Sequence, residues 1–233
     1  MKIASVAMTF LFAVCLAALS ACGGDGDAAQ EEPILIEDAE AVALQVGDLP
    51  VDFVAEGEPA HLTNEQTCAA SGDAERQECI DRLEGFGRRD NYQVAYYATD
   101  PTAILFGLNH VFSSVSVYET ATGAAQAFDY SQGKLEQAIR ASEDISRVSA
   151  PTVGDESAAF VANLSAAAEG GAVSISSYVV DFRRGNLLVR VGTDVPAALG
   201  NVDDAVQLAR QVDQRILRVA SPVSPTASPP ATP

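Results

Sequence analysis

The sequence predicts an α+β domain with a mainly antiparallel β-sheet flanked by helices. Three observations lead there. Alternating apolar and polar residues recur at 92–97, at 111–118 and in a hairpin over 174–193. Amphipathic helical spacing separates and follows these stretches, most clearly over 202–219. Hairpins mixed with helices, rather than regular strand–helix–strand units, argue against a parallel sheet.

In chain order, residues 34–46 read as a short helix capped by Glu37 or Asp38 and stopped by Gly47, with Val42 and Val46 one turn apart. Asp48-Leu49-Pro50 turns the chain into a short strand at 51–55. Residues 56–84 are polar and hold Cys68 and Cys79, with a helix at 74–83; they read as a pinned surface excursion. Gly85-Phe86-Gly87-Arg88-Arg89 reads as a loop turn. Its two glycines lack the strand–glycine–helix context of a phosphate cradle.

Tyr92, Val94 and Tyr96 then share one strand face, and Val111, Val115 and Val117 another. A helix opened by Thr120 or Thr122 carries Ala124, Ala125, Phe128, Leu135, Ala138 and Ile139 on one side. Gly123 and Gly133 lower its intrinsic propensity. In the hairpin, Tyr178, Val180 and Phe182 face the same way as Leu187, Val189 and Val191. Centring its turn on Arg184-Gly185 or on Gly185-Asn186 shifts register by two, so either choice keeps those six residues together. The last helix is capped by Asn201 and carries Asp203 and Asp204 near its positive end and Arg210, Arg215 and Arg218 towards its negative end. Val202, Ala205, Val206, Ala209, Val212, Ile216 and Val219 form its apolar stripe.

The ends of the chain read differently. Lys2, the apolar residues 3–19 and the small residues Ser20 and Ala21 compose a secretory signal over 1–21. Leu19-Ser20-Ala21-Cys22 resembles the lipobox of bacterial lipoproteins. That resemblance implies that Cys22 becomes the mature N-terminus and carries a diacylglycerol thioether. Each buried CH₂ adds about 0.8 kcal/mol of membrane affinity, so two or more chains anchor firmly without a spanning helix. Residues 22–33 are small and charged, with no apolar periodicity, and read as a flexible tether. Residues 221–233 hold five prolines among Ser, Thr and Ala and read as a disordered, solvated tail. Between them, residues 34–220 form a single domain.

The formal charge of −18 becomes −19 when Lys2 leaves with the signal. A surface this acidic excludes nucleic acid as a partner. With the signal and its Cys15 removed and Cys22 lipidated, Cys68 and Cys79 remain as a pair in an oxidising compartment, best explained as a structural disulfide. A metal site with His61 would need further ligands, and the spacing is not the redox CxxC, so neither metal nor cofactor is expected.

No nucleophile–base set is legible: there is no Gly-x-Ser-x-Gly, and His61 and His110 lie in no triad context. Asp25-Gly26-Asp27 lacks the later ligands of a calcium loop, and the Asn163-Leu164-Ser165 sequon carries little weight in a bacterial lipoprotein. Two basic clusters stand out against the acidic background, Arg88-Arg89 and Arg183-Arg184. Their guanidinium forks make them the candidate anion-binding residues.

Gly47-Asp48-Leu49-Pro50, Val115-x-Val117-Tyr118, Val153-Gly154-Asp155-Glu156-Ser157, Phe182-Arg183-Arg184-Gly185-Asn186-Leu187-Leu188-Val189 and the final helix follow in order. The set resembles a broad group of uncharacterised bacterial lipoproteins and, more distantly, the extracytoplasmic sensor domains of mycobacterial receptor kinases. The resemblance implies an antiparallel sheet with a ligand cleft and no catalysis. Those sensors carry two disulfides, whereas this chain can form one, so no binding residue is carried over. The expected protein is therefore a non-enzymatic lipoprotein on the extracytoplasmic side of the cell envelope. It would bind or sense a small molecule or lipid, or alternatively dock an envelope protein; a hydrolase is the third reading.

Overall fold

The computed structural model of the chain describes residues 36–50, 52–69, 72–100, 107–168 and 171–220. The expected signal over 1–21, tether over 22–33 and tail over 221–233 lie outside them. Eight strands form one sheet: β1 (Phe53–Ala55), β2 (Ala60–His61), β3 (Arg88–Ala98), β4 (His110–Tyr118), β5 (Ile145–Val148), β6 (Glu156–Ala168), β7 (Gly171–Arg184) and β8 (Leu187–Pro196). Their spatial order is β1-β3-β4-β8-β7-β6-β5, with β2 also paired to β3. Each of the seven pairings is antiparallel. Among the described residues five α-helices accompany them: α1 (Ala39–Val42), α2 (Asn64–Thr67), α3 (Asp73–Gly85), α4 (Ala121–Ala141) and α5 (Asp203–Ala220). The expected α+β class holds.

One face of the sheet is the core. Tyr92, Val94 and Tyr96 of β3, Val111, Val115 and Val117 of β4, Leu187, Val189 and Val191 of β8, and Val180 and Phe182 of β7 are buried there. Ala39 and Val42 of α1, with Ala205, Val206, Leu208, Ala209, Val212 and Ile216 of α5, cover it. The hairpin turn lies at Gly185-Asn186, because Arg184 pairs with Leu187. Gly185 takes φ 55° there, which a Cβ would resist. The six hairpin residues expected on one face do share it. Asn186 is buried and ties the N-terminal segment to the sheet. It accepts from Ile36 N and donates to the carbonyls of Ile36 and Tyr118, all at 2.8 Å.

Several local expectations need correction. The first helix is only four residues long, capped by Asp38, and a separate 3₁₀ turn follows at Val46–Asp48. Arg215 on α5 fastens both, holding Asp48 at 2.5 and 2.6 Å and donating to the Ala43 carbonyl at the end of α1. Val219 is exposed, because the apolar stripe of α5 runs off the sheet at its last turn, and Leu208 is buried instead. Arg88 and Arg89 open β3 rather than sitting in a loop. The turn ends at Gly87 (φ 72°), and an irregularity between Arg88 and Asp90 starts the pairing. Strands β2, β5 and β6 and the short helix α2 are further elements beyond the expectation.

Helix α4 begins at its Thr120 cap and crosses the opposite face of the sheet on the way from β4 to β5. Gly123 is required there, since a Cβ would lie 2.1 Å from the Phe86 carbonyl oxygen. Ala124 and Ala127 bury Tyr118 between the helix and the sheet, with Phe86 and Leu188 beside them. Phe128 and Leu135 of the same helix are buried further along, while over part of β3, β4 and β8 the second face stays open, and that opening is the origin of the site.

Candidate functional site

The second face of the sheet encloses a cavity of about 580 Å³. Gln93, Ala95, Phe112, Ser114, Ser116, Leu188 and Arg190 line its floor; Leu83 of α3, Ser131 of α4 and Glu56, Glu58 and Ala60 of the β1–β2 segment form its walls. This size falls within the range of pockets that enclose small molecules.

Strand alternation produces the floor. On β3 and β4 the residues between the core valines and tyrosines point to this face, and they are Asn91, Gln93, Ser114 and Ser116. They form a connected ladder. Asn91 Nδ2 donates to Ser114 Oγ at 2.8 Å and to Ser116 Oγ at 2.9 Å, and Asn91 Oδ1 accepts from Gln93 Nε2 at 3.0 Å. Gly192 of β8 sits opposite Phe112 of β4, and a Cβ on it would lie 2.1 Å from the ring. The bare backbone lets that ring lie flat across β8 as the apolar part of the floor.

Two charged features differ in kind. Asp181 of β7 and Arg190 of β8 are directly opposed across the hairpin and form a two-point pair at 2.7 and 2.8 Å. The Asp181 side chain is 3% exposed and that of Arg190 47%, so the acid is buried and the cation reaches the opening. Arg88 is 8% exposed. Its Nη2 donates to the Leu62 carbonyl at 3.2 Å and to Thr67 Oγ1 at 2.6 Å, while its Nε–H has no acceptor. Among the described residues no carboxylate pairs with it. Burial holds its guanidinium below the ordinary arginine range, and the nearby Tyr118 phenol and Asp90 carboxylate oppose this only in part. Asp90 is itself engaged by His61 at 2.9 Å.

The other candidate arginines meet acids of their own chain. Arg183 holds Glu156 at 2.5 Å and Asp155 at 2.9 Å; Arg184 holds Asp213 at 2.7 Å from both Nε and Nη2, and Asp155 at 2.9 Å. Their forks fasten the hairpin turn to the loop before β6 and to α5. Arg89 is exposed beside Glu119 at 3.5 Å. Of the four, only Arg88 lines the cavity. Cys68 and Cys79 form the disulfide, with Cα atoms 5.9 Å apart, joining the C-cap of α2 to α3. Cys22 lies outside the described residues.

His110 sits at the edge of the site. Its Nδ1 lies 2.7 Å from Asp194 Oδ2 and its Nε2 2.9 Å from Glu56 Oε2. The Asp194 hydrogen bond, opposed by burial, holds the imidazole above its ordinary value. Burial pushes the Asp194 carboxyl up, but hydrogen bonds from His110 and Ser177 outweigh this and keep it low. With carboxylates on both ring nitrogens, His110 clamps the Glu56 wall to the sheet and has no nitrogen turned to a nucleophile. Among the described residues no group of His, Cys, Asp and Glu has the arrangement of a metal site.

Sequence reasoning missed Gln93, Ser114, Ser131 and Asp181 as site residues. One signal was available: polar residues at every second position of strands whose intervening residues are apolar mark a polar second face. The Asp181–Arg190 pair follows once the turn is fixed at Gly185-Asn186.

Neither a protein-family model nor a curated protein matches the chain. Among solved structures it is similar to the extracellular domain of PknH from Mycobacterium tuberculosis. Identity is 13%, the match covers 79% of this chain and 93% of that one, and the TM-score is 0.45. Nothing about a family, a ligand or a site is carried over from it. Among the described residues no helix is long and apolar enough to cross a membrane.

Proposed function

We propose that this chain is a non-enzymatic lipoprotein of the extracytoplasmic envelope that binds a small polar molecule on the open face of its sheet. The cavity over the Asn91–Gln93–Ser114–Ser116 ladder carries this reading. Residues of the β1–β2 segment, α3, β3, β4, α4, β7 and β8 build its floor and walls, and its floor offers more hydrogen-bonding groups than a lipid tail could use. Lipidation at Cys22 would hold the domain at the membrane surface on the tether over 22–33, leaving the cavity free to sample solutes.

The test is a thermal-shift screen of polar metabolites against the intact protein in neutral detergent, repeated on Ser114→Trp, which fills the floor. Compounds that raise the melting temperature of the natural protein but not of the variant support the reading. A screen in which every stabiliser acts equally on both proteins contradicts it and favours a protein partner, to be sought by crosslinking on cells.

A further inference from the structure

We infer that the ligand of this cavity carries an oxyanion, a carboxylate or a phosphate, seated against Arg88. The inference rests on reading the cavity as a ligand site, and names the chemistry that the site selects. Arg88 and Asp181 are the two buried ionic groups of the lining, and Asp181 is neutralised by Arg190. Arg88 is not neutralised. A buried charge without a partner is costly, and chains normally supply a counter-ion. This chain has acids in excess, and among the described residues none pairs with Arg88, while both arginines of the 183–184 turn are given two.

The guanidinium is also held in place. Both Nη2 protons are engaged, one by the Leu62 carbonyl and one by the hydroxyl of Thr67, the residue next to the disulfide at Cys68. A guanidinium has five donors in a rigid fork; among the described residues Nη2 meets two acceptors and the Nε–H none. A fork fixed in orientation, with donors to spare and no internal acid, is suited to an oxyanion arriving from outside. Serine hydroxyls at 114 and 116 line the same cavity and can donate to the remaining oxygens. The exposed acids Glu56 and Glu58 stand at the opposite wall, Glu56 held by His110, so they do not compensate Arg88.

The experiment follows the Arg Nε–H signals of the intact ¹⁵N-labelled protein in neutral detergent by NMR during titration with inorganic phosphate, acetate and water-soluble dihexanoyl phosphatidate. The Arg88 signal is identified by its loss in Arg88→Lys. A saturable shift of that signal is expected with at least one probe, and the tightest probe distinguishes free phosphate, carboxylate and lipid head group. Thr67→Asp places a carboxylate beside Nη2 at an exposed position, so it tests the idea even if Arg88 variants fold poorly. It should weaken the probe by about tenfold or more, the scale of one hydrogen bond to a charged group. Arg89→Gln, which removes the neighbouring exposed charge, should change affinity by less than about twofold. If no probe moves the Arg88 signal while a neutral compound from the screen binds equally to Thr67→Asp, the oxyanion is wrong and the cavity stands as a ligand site. If neither anions nor neutral compounds bind, both fall.

Discussion

Replacing Arg184 with alanine should destabilise the domain by about 3 kcal/mol. The side chain makes two bonds of 2.7 Å to Asp213 and one of 2.9 Å to Asp155, with the Arg184 and Asp213 side chains 19% and 13% exposed. Removing one partner of a fully buried pair costs about 3–5 kcal/mol, largely because the other charge is stranded. Residual exposure of both groups places this pair at the low end. For a domain of this size the loss corresponds to about 6–12 °C in melting temperature. Urea unfolding of the natural protein, R184A, D213A and the double variant gives the answer. The midpoint should fall without a change in slope, and the cycle should show a coupling of about 1 kcal/mol or more. A loss below about 0.5 kcal/mol with no coupling would mean that the pair behaves as an exposed one and that Arg184 has donors to spare for an outside anion. Phosphate affinity in R184A should match the natural protein.

Three further outcomes follow from the same geometry. His110 should titrate above its ordinary value of 6.5, because Asp194 and Glu56 favour its charged form; its clamp then stabilises the fold fully below the unfolded histidine pKa and is lost as pH rises through the raised folded value. On the acid side, Asp194 has a depressed folded pKa, so its share is present above the unfolded carboxyl pKa and lost as pH falls through the folded one. An NMR titration of the ring with its midpoint at or below 6.5 would refute this, and H110Q should flatten the alkaline limb of the stability profile. Replacing both Cys68 and Cys79 by serine should cost about 3 kcal/mol by the loop-entropy argument, read by urea unfolding, and should weaken phosphate binding because Thr67 loses its fixed position beside Arg88. Gly192→Val should displace the Phe112 ring, cost about 1–3 kcal/mol by overpacking, and reduce binding in the cavity; unchanged stability would show that the ring does not depend on the bare backbone.

The parts of the fold legible in the sequence were those with a local rule. The β7–β8 hairpin was fixed by alternation around one glycine, and α5 by its spacing and its Asn201 cap, which accepts from Asp203 N at 2.7 Å. Strand β6 was missed because its residues are largely alanine, which has little intrinsic strand preference; it forms because β7 pairs along its whole length. The end of the first helix and the 3₁₀ turn after it both meet Arg215, a partner distant in sequence that no local rule reveals. The site was legible only in its charges. Arg88 and Arg184 look alike as Arg–Arg neighbours, and only tertiary structure gives acids to Arg184 and, among the described residues, no paired acid to Arg88. Alternation marks the polar second face, but not the cavity, whose lining is brought together from β3, β4, β7 and β8 and from the segments beside them.

The most direct measurement is native mass spectrometry of the intact protein purified from its own host, beside Ser114→Trp prepared identically. The account predicts a non-covalent adduct of defined mass on the natural protein, polar and anionic by fragmentation, and absent from the variant. A bare protein in both preparations, or an adduct that Ser114→Trp retains, would contradict the claim that the open face of the sheet is where this protein holds its ligand.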